Sequence, residues 1–319
     1  MTSFLKGLIV AGVLIGALLT LLGLLAHWWP ALDMLNNGLP IAAAAAVLLF
    51  GLAANTRDWR LIVPAALVAA INVVLLLASW QGAAAQAVPG SQRFLRVGTF
   101  NLWGRNDRMD EVARFLADTD ADVIVLQEMT PSHAGKLSPS LGSSRYPYRL
   151  GETGLVILSK HKISEGGRVD RGGSPSWRSP IIRWARLDVN GTAFELAGVH
   201  FARPYYPELQ QQDIAALTQF VQSRSVPLIV AGDFNMSPWT EKLERFTQAT
   251  GLKRYNTVYP TWPMRWHSLP LVPLVAIDNV FASREFAAIS TKGGPRLGSD
   301  HRPIIADIAL REPVPASTK

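Results

Sequence analysis

The sequence contains no cysteine among its 319 residues. Disulfide frameworks, thiolate nucleophiles and zinc sites built on cysteine are therefore excluded, and the redox compartment stays open. Three classes of site are thus removed before any motif is considered.

Charge is scarce in the first 92 residues, where the only charged residues are Lys6, Asp33, Arg57, Asp58 and Arg60. The rest of the chain carries 28 basic and 22 acidic residues, a net charge of +6. That balance suits a polyanion or a membrane surface, although ordinary soluble domains also show a mild basic excess. The contrast predicts four segments: a membrane region at 1–80, a linker at 81–93, a soluble domain at 94–312 and a tail at 313–319.

Three uncharged apolar runs stand near the N-terminus. Residues 7–26 form a run of twenty, which matches the ~20 residues that a helix needs to cross a bilayer. Residues 39–54 and 61–80 form the second and third runs. A signal peptide followed by an interfacial hairpin is the alternative, but the first run exceeds a usual signal core and two more follow it. We expect a multi-pass membrane protein with about three transmembrane helices and the lipid bilayer as a partner.

The placement of lysine and arginine predicts the orientation of these helices. Lys6 precedes the first run, and Arg57 and Arg60 lie between the second and third, whereas residues 27–38 contain neither residue type. The positive-inside tendency then puts the N-terminus in the cytoplasm and the catalytic domain on the other side. In a bacterial cell this domain would be periplasmic or otherwise extracytoplasmic.

Short apolar runs between residues 94 and 312 predict β-strands. They lie at residues 96–103, 121–126, 155–158, 181–189, 192–200, 228–231, 275–281 and 303–310. Helical periodicity covers 209–221 and a segment near 241–250, and residues 164–180 and 257–273 have the composition of loops. Hairpins mixed with helices predict two mostly antiparallel sheets covered by helices, a layered α/β sandwich.

Polar residues recur where these runs end. In the stretch from Leu228 to Asn235, a buried apolar run stops at Gly232 and is followed by Asp233 and Asn235. Because side chains alternate along an extended backbone, these two would point to the same side. Comparable positions hold Asn101, Glu128, His200, Asp278, Asp300 and His301. Each alone is also explained as a turn residue, but left unsatisfied each would cost roughly 1–3 kcal/mol. A shared metal and phosphate ligand would satisfy them together.

Seven short motifs follow one another in the soluble part. They are TFNLW (99–103), VLQE (125–128), GLVILSK (154–160), GVH (198–200), AGDFN (231–235), IDNVF (277–281) and GSDHRP (298–303). In this order they resemble the endonuclease/exonuclease/phosphatase superfamily, which includes pancreatic-type deoxyribonucleases, abasic-site endonucleases, inositol polyphosphate 5-phosphatases and neutral sphingomyelinases. The resemblance, from about Arg96 to Leu310, implies a deoxyribonuclease I-like four-layered α/β sandwich behind the helical membrane segment.

The resemblance also implies hydrolysis of phosphodiester bonds with Mg²⁺ or Mn²⁺. Glu128 would be the principal metal ligand, assisted by Asn101 and Asp300. Hard oxygen donors and water suit such ions, and no thiolate competes.

The resemblance assigns the chemical step to the remaining polar residues. Asp233 would orient and deprotonate the attacking water, and Asn235 would position that water or hold a phosphate oxygen. His301 would contact the scissile phosphate while Asp278 fixes its tautomer. His200 would donate to a phosphate oxygen or to the leaving oxygen.

Three departures from the family's patterns weaken, without abolishing, the interpretation as a phosphoinositide phosphatase. Ala276 stands where abasic-site enzymes and many relatives carry arginine. The inositol 5-phosphatase signature Pro-Ala-Trp-x-Asp-Arg is absent, and Val230 replaces the tryptophan that opens their central motif.

Three hypotheses about the substrate stay open. A nuclease acting on DNA or RNA would bind phosphates and bases through candidate residues Arg178, Arg203, Tyr205 and Trp266. A lipid phosphodiesterase of sphingomyelinase or phospholipase C type would insert the apolar 262–272 loop into an interface. A non-catalytic anchored binding protein is the third. The expected partners are therefore nucleic acid or phospholipid, and no protein partner is evident.

Overall fold

The computed structural model describes residues 3–78, 86–87, 89–141, 145–171, 180–255 and 259–311. The helices are α1 Ser3–Leu24, α2 Leu39–Ala54, α3 Trp59–Ala78, α4 Met109–Thr119, α5 Pro131–Leu141, α6 Pro207–Gln222 and α7 Glu241–Thr250. The strands are β1 Leu95–Asn101, β2 Val123–Met129, β3 Tyr148–Leu150, β4 Gly154–Ser159, β5 Ile163–Val169, β6 Ile182–Val189, β7 Thr192–His200, β8 Leu228–Asp233, β9 Lys253–Arg254, β10 Arg265–Trp266, β11 Leu269–Pro270, β12 Asp278–Ala282, β13 Phe286–Gly293 and β14 Ile304–Leu310.

The three predicted apolar runs are helices, and each is long and apolar enough to cross a membrane, with mean hydropathy of 2.8, 1.9 and 2.7 in chain order. Small residues such as Ala46, Ala53 and Ala65 are buried where these helices meet, which lets the backbones approach closely. The amide of Asn72 on α3 donates to the Thr20 hydroxyl of α1 at 2.8 Å. Many of the outward-facing side chains of these helices are apolar.

The connection between α1 and α2 is not an open loop. Residues Leu25–His27 and Pro30–Gly38 form 3-10 turns. The second of these turns packs against α6 and α7 of the C-terminal part of the chain. The N-terminal helical region is therefore in direct contact with the helices that cover one sheet of the C-terminal part.

The described strands form two six-stranded sheets and one small hairpin, β10–β11. Sheet 1 has the order β13-β14-β1-β2-β4-β3, and sheet 2 has the order β5-β6-β7-β8-β12-β9. Each is mixed rather than purely antiparallel, because β1 pairs in parallel with β2, and β7 pairs in parallel with β8. Parallel neighbours end at the same edge of a sheet, so the carboxyl ends of these strands meet in pairs.

Three hydrophobic clusters define four layers. The largest fills the space between the sheets and includes Leu95, Val125 and Ile229. A second joins sheet 1 to α4 and α5, and a third joins sheet 2 to α6 and α7. Burial of each large apolar side chain contributes about 1.5–3 kcal/mol, so these three clusters hold the layers together. The predicted four-layered α/β sandwich is confirmed.

The two sheets approach each other closely at Gly198 of β7. A Cβ atom there would lie 2.6 Å from Cγ1 of Val125 on β2. The missing side chain thus allows the tight contact between the sheets. Gly198 lies two residues before His200 on β7, and Val125 lies three residues before Glu128 on β2.

Part of the predicted 164–180 loop is a strand, since β5 pairs with β6. Glycine is needed there because a Cβ at Gly167 would lie 2.7 Å from Nε1 of Trp184. The predicted 257–273 loop contains the β10–β11 hairpin, and β13 was not predicted. Within the predicted linker, the Ala87 N–H donates to the Ala288 carbonyl at 2.8 Å.

Candidate active site

The structure brings the polar residues of the strand ends together at one end of the sandwich. Asn101, Glu128, His200 and Asp233 stand in or at the ends of β1, β2, β7 and β8, and Asp278 opens β12. In the register of sheet 2, Asp278 of β12 lies opposite Asp233 of β8, and His200 of β7 lies opposite it on the other side. Asn235 follows β8, and Asp300 and His301 precede β14.

A glycine and a left-handed asparagine shape the end of β8. Gly232 has φ +153°, and a Cβ there would lie 2.1 Å from the Val199 carbonyl oxygen, so no other residue fits. Asn235 has φ +51°, and its N–H donates to Oδ1 of Asp233 at 2.8 Å. Its amide nitrogen donates to the Phe201 carbonyl at 2.9 Å. Asp233 and Asn235 therefore converge through a turn, and not through strand alternation as the sequence predicted.

His301 lies between two carboxylates. Its Nδ1 is 2.9 Å from Oδ2 of Asp278, and its Nε2 is 3.7 Å from Oδ2 of Asp233. Burial alone would lower the pKa of His301, but the charges of Asp278 and Asp233 raise it to about 10. Burial raises the pKa of Asp233 to about 6, although His301 opposes the increase. At neutral pH this side of the site therefore holds a His301 imidazolium beside an ionised Asp233.

Glu128 enters the site from a distorted strand. Its φ is +55°, and the pairing of β2 with β4 shifts register between Leu126 and Met129, as in a β-bulge. Oε2 accepts the Gly104 N–H at 3.0 Å, and Oε1 lies 3.8 Å from Nε2 of His200. Burial would raise the pKa of Glu128, but His200 and the Gly104 N–H lower it overall. Glu128 is thus kept ionised while 24% of its side chain stays exposed.

The Asn101 amide connects the two sides of the site. Its nitrogen lies 3.0 Å from Oδ2 of Asp233 and 3.4 Å from Oε1 of Glu128. Its oxygen accepts the Trp103 N–H at 3.0 Å. In this arrangement Asn101 orients two carboxylates and offers no oxygen toward Glu128.

The carboxylates of Glu128 and Asp300 fit a divalent cation. Burial raises the pKa of Asp300, and the charge of Glu128 adds to the increase. Its buried Oδ1 has no hydrogen-bond partner among the described residues, as expected of an atom that awaits a cation. Mg²⁺ and Mn²⁺ favour such oxygen donors completed by water.

A second set of ligand atoms is compact but less suited to a metal. One ligand atom each from Asp233, Asp278 and His301 lie within 4.8 Å of one another. Because Nδ1 of His301 is hydrogen-bonded to Asp278, this ring would offer a metal only its Nε2. The hydrogen bond and charge pairing already explain this closeness.

Three buried residues that the sequence did not single out hold the site in place. The Ser299 hydroxyl donates to the Asn101 carbonyl at 2.7 Å and accepts the His301 N–H at 2.9 Å. Gln210 donates to the Asn235 carbonyl at 3.0 Å, and Asn279 donates to the Met236 carbonyl at 3.1 Å. Ser299 lies within a recognised motif, whereas Gln210 is a polar residue of an ordinary amphipathic helix.

The four candidate substrate residues differ in their placement. Arg203 donates to the Tyr205 hydroxyl at 2.8 Å. Its pKa is raised first by that bond, and further by the charges of Tyr205, Glu128 and Asp300, while burial opposes the increase. Trp266 is 69% exposed on the β10–β11 hairpin. Arg178 lies outside the described residues.

The β10–β11 hairpin is attached to the site through Arg265. Its guanidinium lies 4.7 Å from the centre of the Trp103 ring and donates to the Gly298 carbonyl at 2.9 Å. Such a cation–π contact contributes about 0.5–1 kcal/mol at an exposed position. A basic group thus lies at the rim, beside Trp266.

Comparison with family profiles matches residues 98–301 to the Endonuclease/Exonuclease/phosphatase family. The match covers more than half of the chain and includes all eight strand-end residues. No curated protein matches the sequence.

Solved structures share the fold at low identity. A functionally unknown conserved protein from Enterococcus faecalis V583 aligns with TM-score 0.58 and 16% identity, covering 68% of this chain and 100% of its own. An endonuclease/exonuclease/phosphatase from Bacteroides vulgatus aligns with TM-score 0.55 and 20% identity, over 68% and 99%. A mannosyl-6-phosphatase from Bacteroides thetaiotaomicron VPI-5482 aligns with TM-score 0.55 and 17% identity, over 68% and 100%.

Proposed function

Because the chain belongs to the endonuclease/exonuclease/phosphatase family, we propose that it is a metal-dependent phosphodiester hydrolase acting as a membrane-anchored nuclease. One observation carries the proposal: a buried carboxylate, Asp233, lies between the His301 imidazole and the amide that also contacts Glu128. A base, a positive donor and a metal ligand are thereby combined within one cluster.

Asp233 is proposed as the group that receives a proton from the attacking water. With its pKa raised to about 6, it is ionised at neutral pH and still basic enough to accept a proton. Asn235 acts through Asp233, because both its N–H and its amide face that carboxylate.

His301 and His200 are proposed as donors to the phosphate. Asp278 holds Nδ1 of His301, so the proton on Nε2 can point to a non-bridging oxygen. Nε2 of His200 lies 3.8 Å from Glu128 and 3.9 Å from Asp233, within reach of the leaving oxygen. Donors aimed at developing negative charge lower the barrier of phosphoryl transfer.

Glu128 and Asp300 are proposed as the cation ligands, with Asn101 orienting Glu128. Bound Mg²⁺ or Mn²⁺ would supply positive charge to phosphate oxygens. The protein's own contribution is to keep Glu128 ionised at the open side of the site, through the Gly104 N–H and His200.

Nucleic acid is the proposed substrate because basic and aromatic groups surround the opening. Arg203 and Arg265 stand there with Tyr205 and Trp103. Arginine binds phosphates and aromatic rings stack on bases. The net charge of +6 after residue 92 favours a polyanion in the same way.

A lipid phosphodiester is the second candidate, and the hairpin favours it. Trp266, Leu269, Val272 and Leu274 are between 50% and 71% exposed near Arg265. Exposed apolar side chains rimmed by a basic residue suit a membrane interface.

We further propose that α1, α2 and α3 cross the membrane and that the sandwich is extracytoplasmic. The positions of Lys6, Arg57 and Arg60 support it. The contact of the α1–α2 connection with α6 and α7 also supports it, since three spans place this connection and the sandwich on one side. If a reporter that works only in the cytoplasm is active when fused to the C-terminus, this topology is refuted.

The function is tested with the full chain in nanodiscs. Plasmid DNA, RNA, sphingomyelin and phosphatidylcholine liposomes, and bis-p-nitrophenyl phosphate are offered with Mg²⁺, Mn²⁺ or EDTA, and Asp233→Asn serves as control. We expect metal-dependent DNA or RNA cleavage that weakens as salt rises. Headgroup release without cleavage of nucleic acid would favour the lipid candidate, and no hydrolysis of any substrate would refute both.

A further inference from the structure

A buried carboxylate from the apolar N-terminal region faces the C-terminal domain. Asp33, in the turn between α1 and α2, is 1% exposed. Its Oδ1 accepts the Glu241 N–H at 2.8 Å, and its Oδ2 accepts the Lys242 N–H at 3.1 Å. A buried carboxylate is costly unless it is fully hydrogen-bonded, so these contacts explain its presence.

Asp33 takes the place of the missing side-chain cap of α7. The residue before this helix, Thr240, donates its hydroxyl to the Ser237 carbonyl and makes no side-chain cap of its own in the described structure. The first N–H groups of a helix need an acceptor, and a negative charge suits that end. Asp33 supplies both from another part of the chain.

A second contact lies closer to the active site. The Ser237 N–H donates to Oδ1 of Asn37 at 2.7 Å, and Asn37 is 9% exposed. The Lys242 ammonium donates to the Pro30 carbonyl at 2.9 Å. Three successive anchoring points between residues 237 and 242 thus belong to the turn between α1 and α2.

This segment continues directly from Asp233 and Asn235. Asn235 is in the left-handed conformation, and its carbonyl is held by Gln210. One residue later, the Met236 carbonyl is held by Asn279. Only Met236 separates Asn235 from Ser237. A displacement of Ser237 would therefore also displace Asn235.

We propose that Asp33 and Asn37 are positioning residues of the active site. Through Ser237 and the start of α7 they hold the turn that presents Asp233 and Asn235. The helical region is then a part of the enzyme and not only its anchor. This inference rests on the proposed phosphodiesterase function.

The test compares alanine with conservative variants of the full chain in nanodiscs. Asp33→Ala and Asn37→Ala remove the acceptors, whereas Asp33→Asn and Asn37→Asp keep one. We expect kcat on bis-p-nitrophenyl phosphate to fall roughly tenfold for both alanine variants, because small misplacements of reacting groups are costly. KM should change little, and the conservative variants should recover kcat to within about twofold, since Asn and Asp cap similarly.

Gly251→Ala is the matched control for helix stability. Gly251 ends α7 at φ +69° with open space around its Cα, so alanine strains the far end of the same helix without touching Asp33 or Ser237. Its melting temperature should fall as for Asp33→Ala, but kcat should remain that of the wild type. An equal loss of kcat in Gly251→Ala, or wild-type kcat in both alanine variants, would overturn the inference while the function stands.

Crosslinking tests the contact without any activity measurement. The chain has no native cysteine, so a variant with both His27→Cys and Arg245→Cys can be joined by a short bismaleimide. In the wild type, Nδ1 of His27 and Nη2 of Arg245 lie 2.7 Å apart. Arg284, at the opposite end of sheet 2, replaces Arg245 in the control pair. We expect a crosslinked peptide only in the first pair, and its absence would overturn the inference. If the wild type crosslinks but hydrolyses no phosphodiester, it is the proposed function that fails.

Discussion

The two sides of the candidate site use carboxylates in opposite ways. On the His301 side, Asp233 and Asp278 are 1% and 0% exposed and are both paired with one imidazole. On the Glu128 side, Glu128 is open to solvent and Asp300 keeps a buried oxygen without a described partner. One side is built around a buried imidazole shared by two carboxylates, whereas the other presents a partly exposed carboxylate to solvent.

The difference separates proton transfer from metal binding. Groups that neutralise each other hold a proton at a defined atom, as general acid–base chemistry requires. Groups with spare lone pairs attract a cation. Substitutions on the two sides should therefore change different measurements, even though Asn101 touches both.

Asp233→Asn should have the largest effect. It removes the proton acceptor but keeps the shape, so we expect kcat to fall roughly 10³-fold. Mn²⁺ affinity, followed by electron paramagnetic resonance, should stay close to that of the wild type. Loss of Mn²⁺ binding in this variant would show that Asp233 also holds the metal, so that both sides belong to one metal site.

Asp278→Asn should lower kcat by roughly 10²-fold, because His301 loses the partner that fixes Nδ1. Asp278 raises the pKa of both His301 and Asp233. Without its charge both pKa values fall, so both limbs of the kcat–pH profile should move to lower pH. An unchanged profile would contradict the pairing.

Glu128→Gln should weaken Mn²⁺ binding by about 10- to 100-fold. Because Asp233 and His301 are untouched, saturating Mn²⁺ should restore most of kcat, measured on bis-p-nitrophenyl phosphate. Activity that no metal concentration restores would place Glu128 in the chemical step.

Arg203→Gln should have the smallest effect, because Arg203 belongs to the rim and to neither side. We expect KM for an oligonucleotide to rise by less than about tenfold, and the slope of log KM against log salt to fall by about one. Arg284→Gln, 91% exposed at its side chain and far from the opening, is the control. Equal effects of the two substitutions would argue for a diffuse surface charge.

The strand-end pattern was enough to predict which residues meet, because an apolar run that stops at a polar group marks the edge of a sheet. It could not predict how they meet. The left-handed backbone of Glu128 depends on its pairing with β4, and the Asn101 amide is oriented by Trp103. Both depend on contacts that a local pattern does not contain.

Two other features lay beyond the sequence for the same reason. Asp33 contacts a residue 208 positions away, so nothing near it in the chain reveals its role. Glycines made residues 164–169 look like a loop, although Gly167 leaves room for Trp184 beside a regular strand. Low strand propensity was outweighed by packing against a large neighbour.

The contact between Gly198 and Val125 sets the distance between the two sheets beside the candidate site. Glu128 belongs to one sheet and His200, Asp233 and Asp278 to the other, so that distance determines the spacing between the proposed cation ligand and the proposed proton acceptor. Surface segments around the site lie outside that contact, so a change in their length or composition leaves this spacing unaltered. The relative position of these groups is therefore a property of the packing between the sheets.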